Sequence, residues 1–283
     1  MVEVVREHYI KLIGKFIEGI NGLSVENMPA IFVPIIGRFY GSHKYLKIAV
    51  FGEEAPYHKW RDTKELRQKY YKTLNELKYK YKENSESAYT YLTESFRTSE
   101  IFDDLDKYDM GYINFVKKLL KGLYGEINKE KNEQFQSFIW GDTNAFEGNV
   151  YGSAETVKKY KCDEKDWKQI KYIADTIFKS NNELSFILEN CKLDILLIMD
   201  GSVFNCGEWL KKYNVELCNL SEKFHYAFHY THIKKDEVDT IIIKTNHPTY
   251  FNIEKIRYKN VIGNIIDIIK KEQPSSLLKI KNI

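Results

Sequence analysis

The 283-residue chain predicts an α/β fold: one domain over 1–283 with a largely parallel central sheet. Short apolar runs alternate with segments of helical apolar spacing, the pattern left by crossover helices between parallel strands. The run 193–199 is apolar almost throughout and 238–245 carries an apolar centre at Ile241 to Ile243, as strands buried on both faces do. A composition of 43% hydrophobic and 29% charged residues, with 5 Pro and 15 Gly, is that of ordinary globular material. A chain of this size buries a core without disulfides or metals.

Val4, Val5, Tyr9, Leu12, Ile13, Phe16 and Ile20 share one stripe, which predicts a first helix over 3–20, stopped by Asn21-Gly22. Residues Pro34 to Gly41 read as a loop, and Tyr45 to Phe51 as a buried strand ending at Gly52. A helical insertion over about 63–133 follows. In it, Thr63 to Glu83 is amphipathic through Leu66, Tyr70, Leu74, Leu77 and Tyr81, Asn84 to Ser87 is a surface loop, and 108–124 is a further helix. Phe135 to Trp140 is the second strand, with a loop over Gly141 to Gly152. Helices at 164–179 and 182–190 lead to the strand Leu193 to Met199, which stops at Asp200-Gly201. A helix at 203–212, strands at 224–233 and 238–245, and a helix at 256–271 complete the order, with a frayed tail beyond Pro274.

A formal charge of +3 is too small to mark a nucleic-acid binder, so any basic surface has to be local. The 21 Tyr, 16 Phe and 4 Trp serve equally as core material or as stacking surfaces. Cys162, Cys191, Cys206 and Cys218 form no C-x-x-C pair, which argues against zinc or iron–sulfur sites and for reduced thiols in a cytoplasmic protein. No apolar run approaches the length of a membrane span, and the charged N-terminus lacks a signal-peptide pattern. Phosphate-binding glycine motifs are missing, so no nucleotide cofactor is expected.

Ligands of such sheets bind outside the carboxyl ends of the strands, and those ends carry the chemistry. The first is followed by Gly52-Glu53-Glu54-Ala55-Pro56-Tyr57-His58, with two adjacent carboxylates beside a Pro-fixed turn. They suit water activation or stabilisation of a cation, or they are solvated turn residues. The second is followed by Asn144, able to read a pyrimidine edge bidentately or simply to form a turn. The last is followed by Asn246-His247-Pro248-Thr249-Tyr250-Phe251, a fixed imidazole before a hydroxyl and two aromatics. His247 is an electrophile there or a capping and packing residue. His225, His229 and His232 would need a helix to converge as metal ligands, and in a strand they do not, so no metal site is expected. The Lys/Tyr segment Lys69 to Lys82 could contact phosphates or be an exposed helix face.

In order and spacing these three pieces resemble the uracil-DNA glycosylase superfamily, over about 45–255 of the chain. The resemblance implies a three-layer α/β/α domain around a mostly parallel four-stranded sheet. It implies a monomeric, cofactor-free DNA-repair hydrolase that flips a uracil or a damaged or modified pyrimidine and cleaves its N-glycosidic bond. Glu53 or Glu54 would stabilise the sugar cation, and His247 would donate to the base carbonyl. Asn144 would read the base in a pocket shaped by Gly52, Pro56 and Tyr57. His58, Asn246, Pro248, Thr249 and Tyr250 or Phe251 would face DNA, one aromatic as the inserted side chain. The chain departs from the family in its extra residue before Pro56 and in Thr249-Tyr250 after His247-Pro248. Two alternatives are a catalytically silent DNA- or base-binding protein of the same fold and a nucleoside or small-molecule hydrolase.

Overall fold

The computed structural model describes residues 2–23, 27–29, 33–52, 71–93, 111–125, 133–134, 136–142, 163–178, 180–200 and 207–272. The chain divides into two compact units interleaved in sequence: 1–33, 54–97 and 144–183 in the first, and 34–53, 98–143 and 184–283 in the second. Nine strands lie among the described residues: β1 (Asn27–Pro29), β2 (Ile35–Ile36), β3 (Ile48–Gly52), β4 (Tyr71–Thr73), β5 (Phe138–Asp142), β6 (Ile195–Met199), β7 (Cys218–Asn219), β8 (Phe228–Lys235) and β9 (Val238–Thr245). Among the described residues, no helix is long and apolar enough to cross a membrane.

The first unit is mainly helical. The Val2–Gly19 helix packs Ile13, Phe16 and Ile17 against Leu77, Ala88, Trp167, Ile170 and Phe178. Tyr71–Thr73 leaves the helix predicted from Thr63 and forms β4, antiparallel to β1, since Tyr and Thr suit a pleated surface. The loop predicted at 84–87 is instead a helix start: Asn84 Oδ1 accepts the Ser87 amide at 2.6 Å and caps the Ser85–Thr93 helix. The Glu164–Ile177 helix is capped in the same way by Asp163.

The second unit holds a seven-stranded sheet in the order β2-β5-β3-β6-β9-β8-β7. β5, β3, β6 and β9 are mutually parallel neighbours. β2, β8 and β7 pair antiparallel, so the sheet is mixed rather than a four-stranded, mostly parallel one. Ile35-Ile36, read as loop from its proline and glycine flanks, supplies one edge, and a two-residue turn at Asp236-Glu237 folds β8 back on β9. All five residues of β3 and of β6 are buried, which is why their sequences show no alternation. The amino edge of the parallel strands is stitched by side chains. Asp194 Oδ2 accepts the Lys47 amide at 2.7 Å, and Thr240 Oγ1 donates to the Leu193 carbonyl at 2.6 Å. The Gly111–Tyr124 and Tyr258–Glu272 helices pack on each other, and Gly122 permits it, since a Cβ there would meet Ile266 at 2.6 Å.

Candidate functional site

The carboxyl ends of the four parallel strands fall in one row. Gly52 is paired with Asp142 on one side and Met199 on the other, and Met199 with Thr245. Gly141 lets β5 approach β3 here, because a Cβ would lie 2.2 Å from the Phe51 ring. Asp200, 4% exposed, is one residue beyond this row, and His247 two residues beyond it.

The chain leading to His247 is held from both sides of the backbone of Ala227. Thr245 Oγ1 donates to its carbonyl at 2.9 Å, and Asn246 Oδ1 accepts its amide at 2.8 Å. Asn246, expected to face DNA, thus spends its side-chain oxygen on positioning. Beyond it, the His247 carbonyl accepts the Tyr250 amide at 2.9 Å, and Pro248 opens the helix Pro248–Ile253, a position where a missing N–H costs nothing. The Pro248 carbonyl is fixed by the Tyr258 hydroxyl at 3.2 Å.

Burial pushes the His247 imidazole down to about 4, against the opposing pull of the Asp200 carboxylate. The ring is therefore neutral at physiological pH. A neutral imidazole still has one N–H to donate, and donating it adds no charge to the ground state. Asp200 lies in a strand end, 200–206, that the sequence marks as a place for ligands without giving Asp200 a role; a polar residue directly after a five-residue buried strand is its signal.

The two aromatics after Pro248 have different fates. Tyr250 is 37% exposed, whereas Phe251 is fully buried. Phe251 packs among Phe115, Tyr226 and Tyr258, with ring centroids 6.2, 5.4 and 6.4 Å away. The expectation of Phe251 as a DNA-contacting side chain is corrected by this burial: in the 248–253 helix it lies on the core side. Thr249 lies in this helix. Glu53, Glu54, Pro56, Tyr57, His58 and Asn144 lie outside the described residues. The strands that lead into them end at Gly52 and Asp142, in the row that leads to His247.

His232 lies in the middle of the β8–β9 pair, opposite Ile241. Its Nε2 contacts Asp239 Oδ1 at 2.8 Å and its Nδ1 contacts Glu272 Oε2 at 3.2 Å. His225 precedes β8 in a left-handed conformation at φ 60°, so the three histidines do not share one strand. Among the described residues, no group of three His, Cys, Asp or Glu side chains could hold a metal ion. Cys191 is buried, its thiol pushed up to about 12, and Cys218 is exposed.

No protein-family model, no characterised protein and no solved structure matches this chain.

Proposed function

We propose that the protein is a DNA N-glycosylase of the uracil-DNA glycosylase type, with the three-layer architecture of that family. It acts on a flipped uracil or a damaged or modified pyrimidine. The observation that carries the reading is His247: a neutral imidazole at the carboxyl end of β9, in the strand row whose other members lead into Glu53-Glu54 and Asn144.

As the bond between the sugar carbon and the base nitrogen breaks, its electron pair moves onto the base and negative charge grows on the carbonyl oxygen. His247 donates its N–H to that oxygen and stabilises the charge. Water adds to the sugar carbon and passes a proton to Glu53 or Glu54, whose carboxylate also offsets the positive charge of the oxocarbenium-like sugar. Asn144 reads the base edge, Gly52, Pro56 and Tyr57 shape the pocket, and His58, Thr249 and Tyr250 face the DNA. No cofactor takes part. Base flipping is needed because a stacked base cannot be attacked inside the duplex.

The test is incubation with oligonucleotides carrying uracil or damaged or modified pyrimidines, followed by alkaline cleavage at abasic sites. The parent releases base. His247→Ala lowers the single-turnover rate by about 10² or more, with oligonucleotide binding within about twofold of the parent. A His247→Ala protein that cleaves at the parental rate removes His247 from the chemistry. Release from free nucleosides alone would make the protein a nucleoside hydrolase, and DNA binding without any base release a silent binder.

A further inference from the structure

Two hollows adjoin in the second unit. One, of about 930 Å³, is lined among others by Lys118, Lys121, Lys255, Arg257 and Lys259. The other, of about 740 Å³, adds Lys223 and Asp267 and shares Lys255, Arg257, Lys259 and Gly263 with the first. Six cations against one carboxylate give this surface a formal charge of +5, where the whole chain carries +3. All six side chains are exposed, and among the described residues no carboxylate pairs with Lys118, Lys223, Lys255, Arg257 or Lys259. The two hollows therefore carry a local excess of positive charge. We infer that this face is a phosphate-backbone track for DNA, a reading that takes its partner from the glycosylase proposal and names the surface that grips it.

The geometry favours a linear polyanion over a single phosphate. The cations are divided between two adjoining hollows, Lys118 and Lys121 in the first and Lys223 in the second with Lys255, Arg257 and Lys259 common to both, and each exposed cation can neutralise a phosphate and release its counterion. In sequence the track follows the candidate site closely: the Pro248–Ile253 helix starts directly after His247, and its chain runs on into Lys255 and Arg257. Part of the track is pre-ordered, because Lys118 lies over the Tyr258 ring, 5.0 Å from its centroid.

A lipid surface fits less well. Tyr258, Val261, Ile262, Ile265, Ile268 and Ile269 of the Tyr258–Glu272 helix are buried in the core. Among the described residues, Tyr250 is the one exposed large apolar side chain of this unit, too little for an interfacial anchor. Gly263, in the floor of both hollows, would bring a Cβ within 4 Å of nothing. The fold does not require glycine there, and its lack of a side chain leaves room for an approaching backbone.

The experiment titrates a labelled duplex oligonucleotide with the full-length protein at several salt concentrations. The triple variant Lys255→Gln, Arg257→Gln, Lys259→Gln is compared with Lys78→Gln, Lys80→Gln, Lys82→Gln, which removes the same charge from the Lys/Tyr helix. The track variant is expected to bind at least about tenfold more weakly near 0.1 M salt, with the slope of log K against log salt reduced by about 2 to 3. The helix variant should stay within about twofold of the parent. Gly263→Glu, which places a negative charge on the shared floor without a clash, should weaken binding in the same sense, and a matching thermal melt shows that its fold is intact. Equal losses in the two triple variants, no loss in the track variant, or a parent that binds phosphatidylserine vesicles but not DNA would each overturn the inference. Base release is read separately. A parent that binds through the track and releases no base sinks the glycosylase reading alone, and base release with an unimpaired track variant sinks the track alone.

Discussion

Two histidines belong to the same strand pair, one in the middle of β8 and one just past the end of β9, and their surroundings treat them differently. His232 places each ring nitrogen against a carboxylate, Asp239 on β9 and Glu272 in the last helix. His247, just past the end of β9, is half-buried near the Asp200 carboxylate and has its proton affinity driven down by desolvation. The first arrangement saturates a ring with partners and holds a helix end to a sheet. The second withholds charge from a ring placed at the edge where such sheets bind ligands. The same residue type thus takes two environments, one set by flanking carboxylates and one by burial that disfavours its charged form.

Substitutions can break this comparison. The largest expected effect is on the scaffold of His247: Phe251→Ala should cost about 3 to 5 kcal/mol in chemical denaturation, because it empties an aromatic site shared with Phe115, Tyr226 and Tyr258. A cost below about 1 kcal/mol would mean that Phe251 does not anchor the 248–253 helix.

Next is the proton linkage of His247. Unfolded chains take up the imidazole proton below about 6.5, whereas the folded site resists it down to about 4. Between these values the unfolded state binds more protons, so this group makes stability fall as pH drops from about 6.5 to 4 and contributes nothing above that window. The parent should therefore lose about 3 kcal/mol relative to His247→Gln across it. Parallel stability curves for the two proteins would show a ring that titrates normally.

His232→Ala should cost least, about 1 to 3 kcal/mol at pH 7, since it leaves the Asp239 and Glu272 carboxylates without their shared partner. Base release by the folded protein should remain at the parental level. A loss of turnover comparable to that of His247→Ala would erase the distinction between the two histidines.

Much of the sheet was legible because burial on both faces leaves a direct trace in composition. β3, β6 and β9 fall inside the predicted strands 45–51, 193–199 and 238–245 or run one residue past them. Elements specified by a partner strand or by one capping atom were not legible. Ile35-Ile36 is a strand because β5 offers it an edge, Tyr71–Thr73 because β1 does, and Asn84 starts a helix through a single oxygen. The candidate site divides in the same way. His247 stood out in sequence as a histidine before proline at a strand end, whereas Asp200 looked like a stop signal.

By itself the sequence determined the α/β class, the strand ends at Gly52, Met199 and Thr245, and the presence of a histidine at the last of them, since apolar periodicity and chain-breaking residues are local properties. Tertiary packing alone makes Phe251 core and Tyr250 exposed, makes Asn246 a strut, holds His247 neutral, and gathers six cations and one carboxylate around two adjoining hollows. Exposure, proton affinity and surface potential depend on which distant residues fold against a group, and no window of sequence contains them.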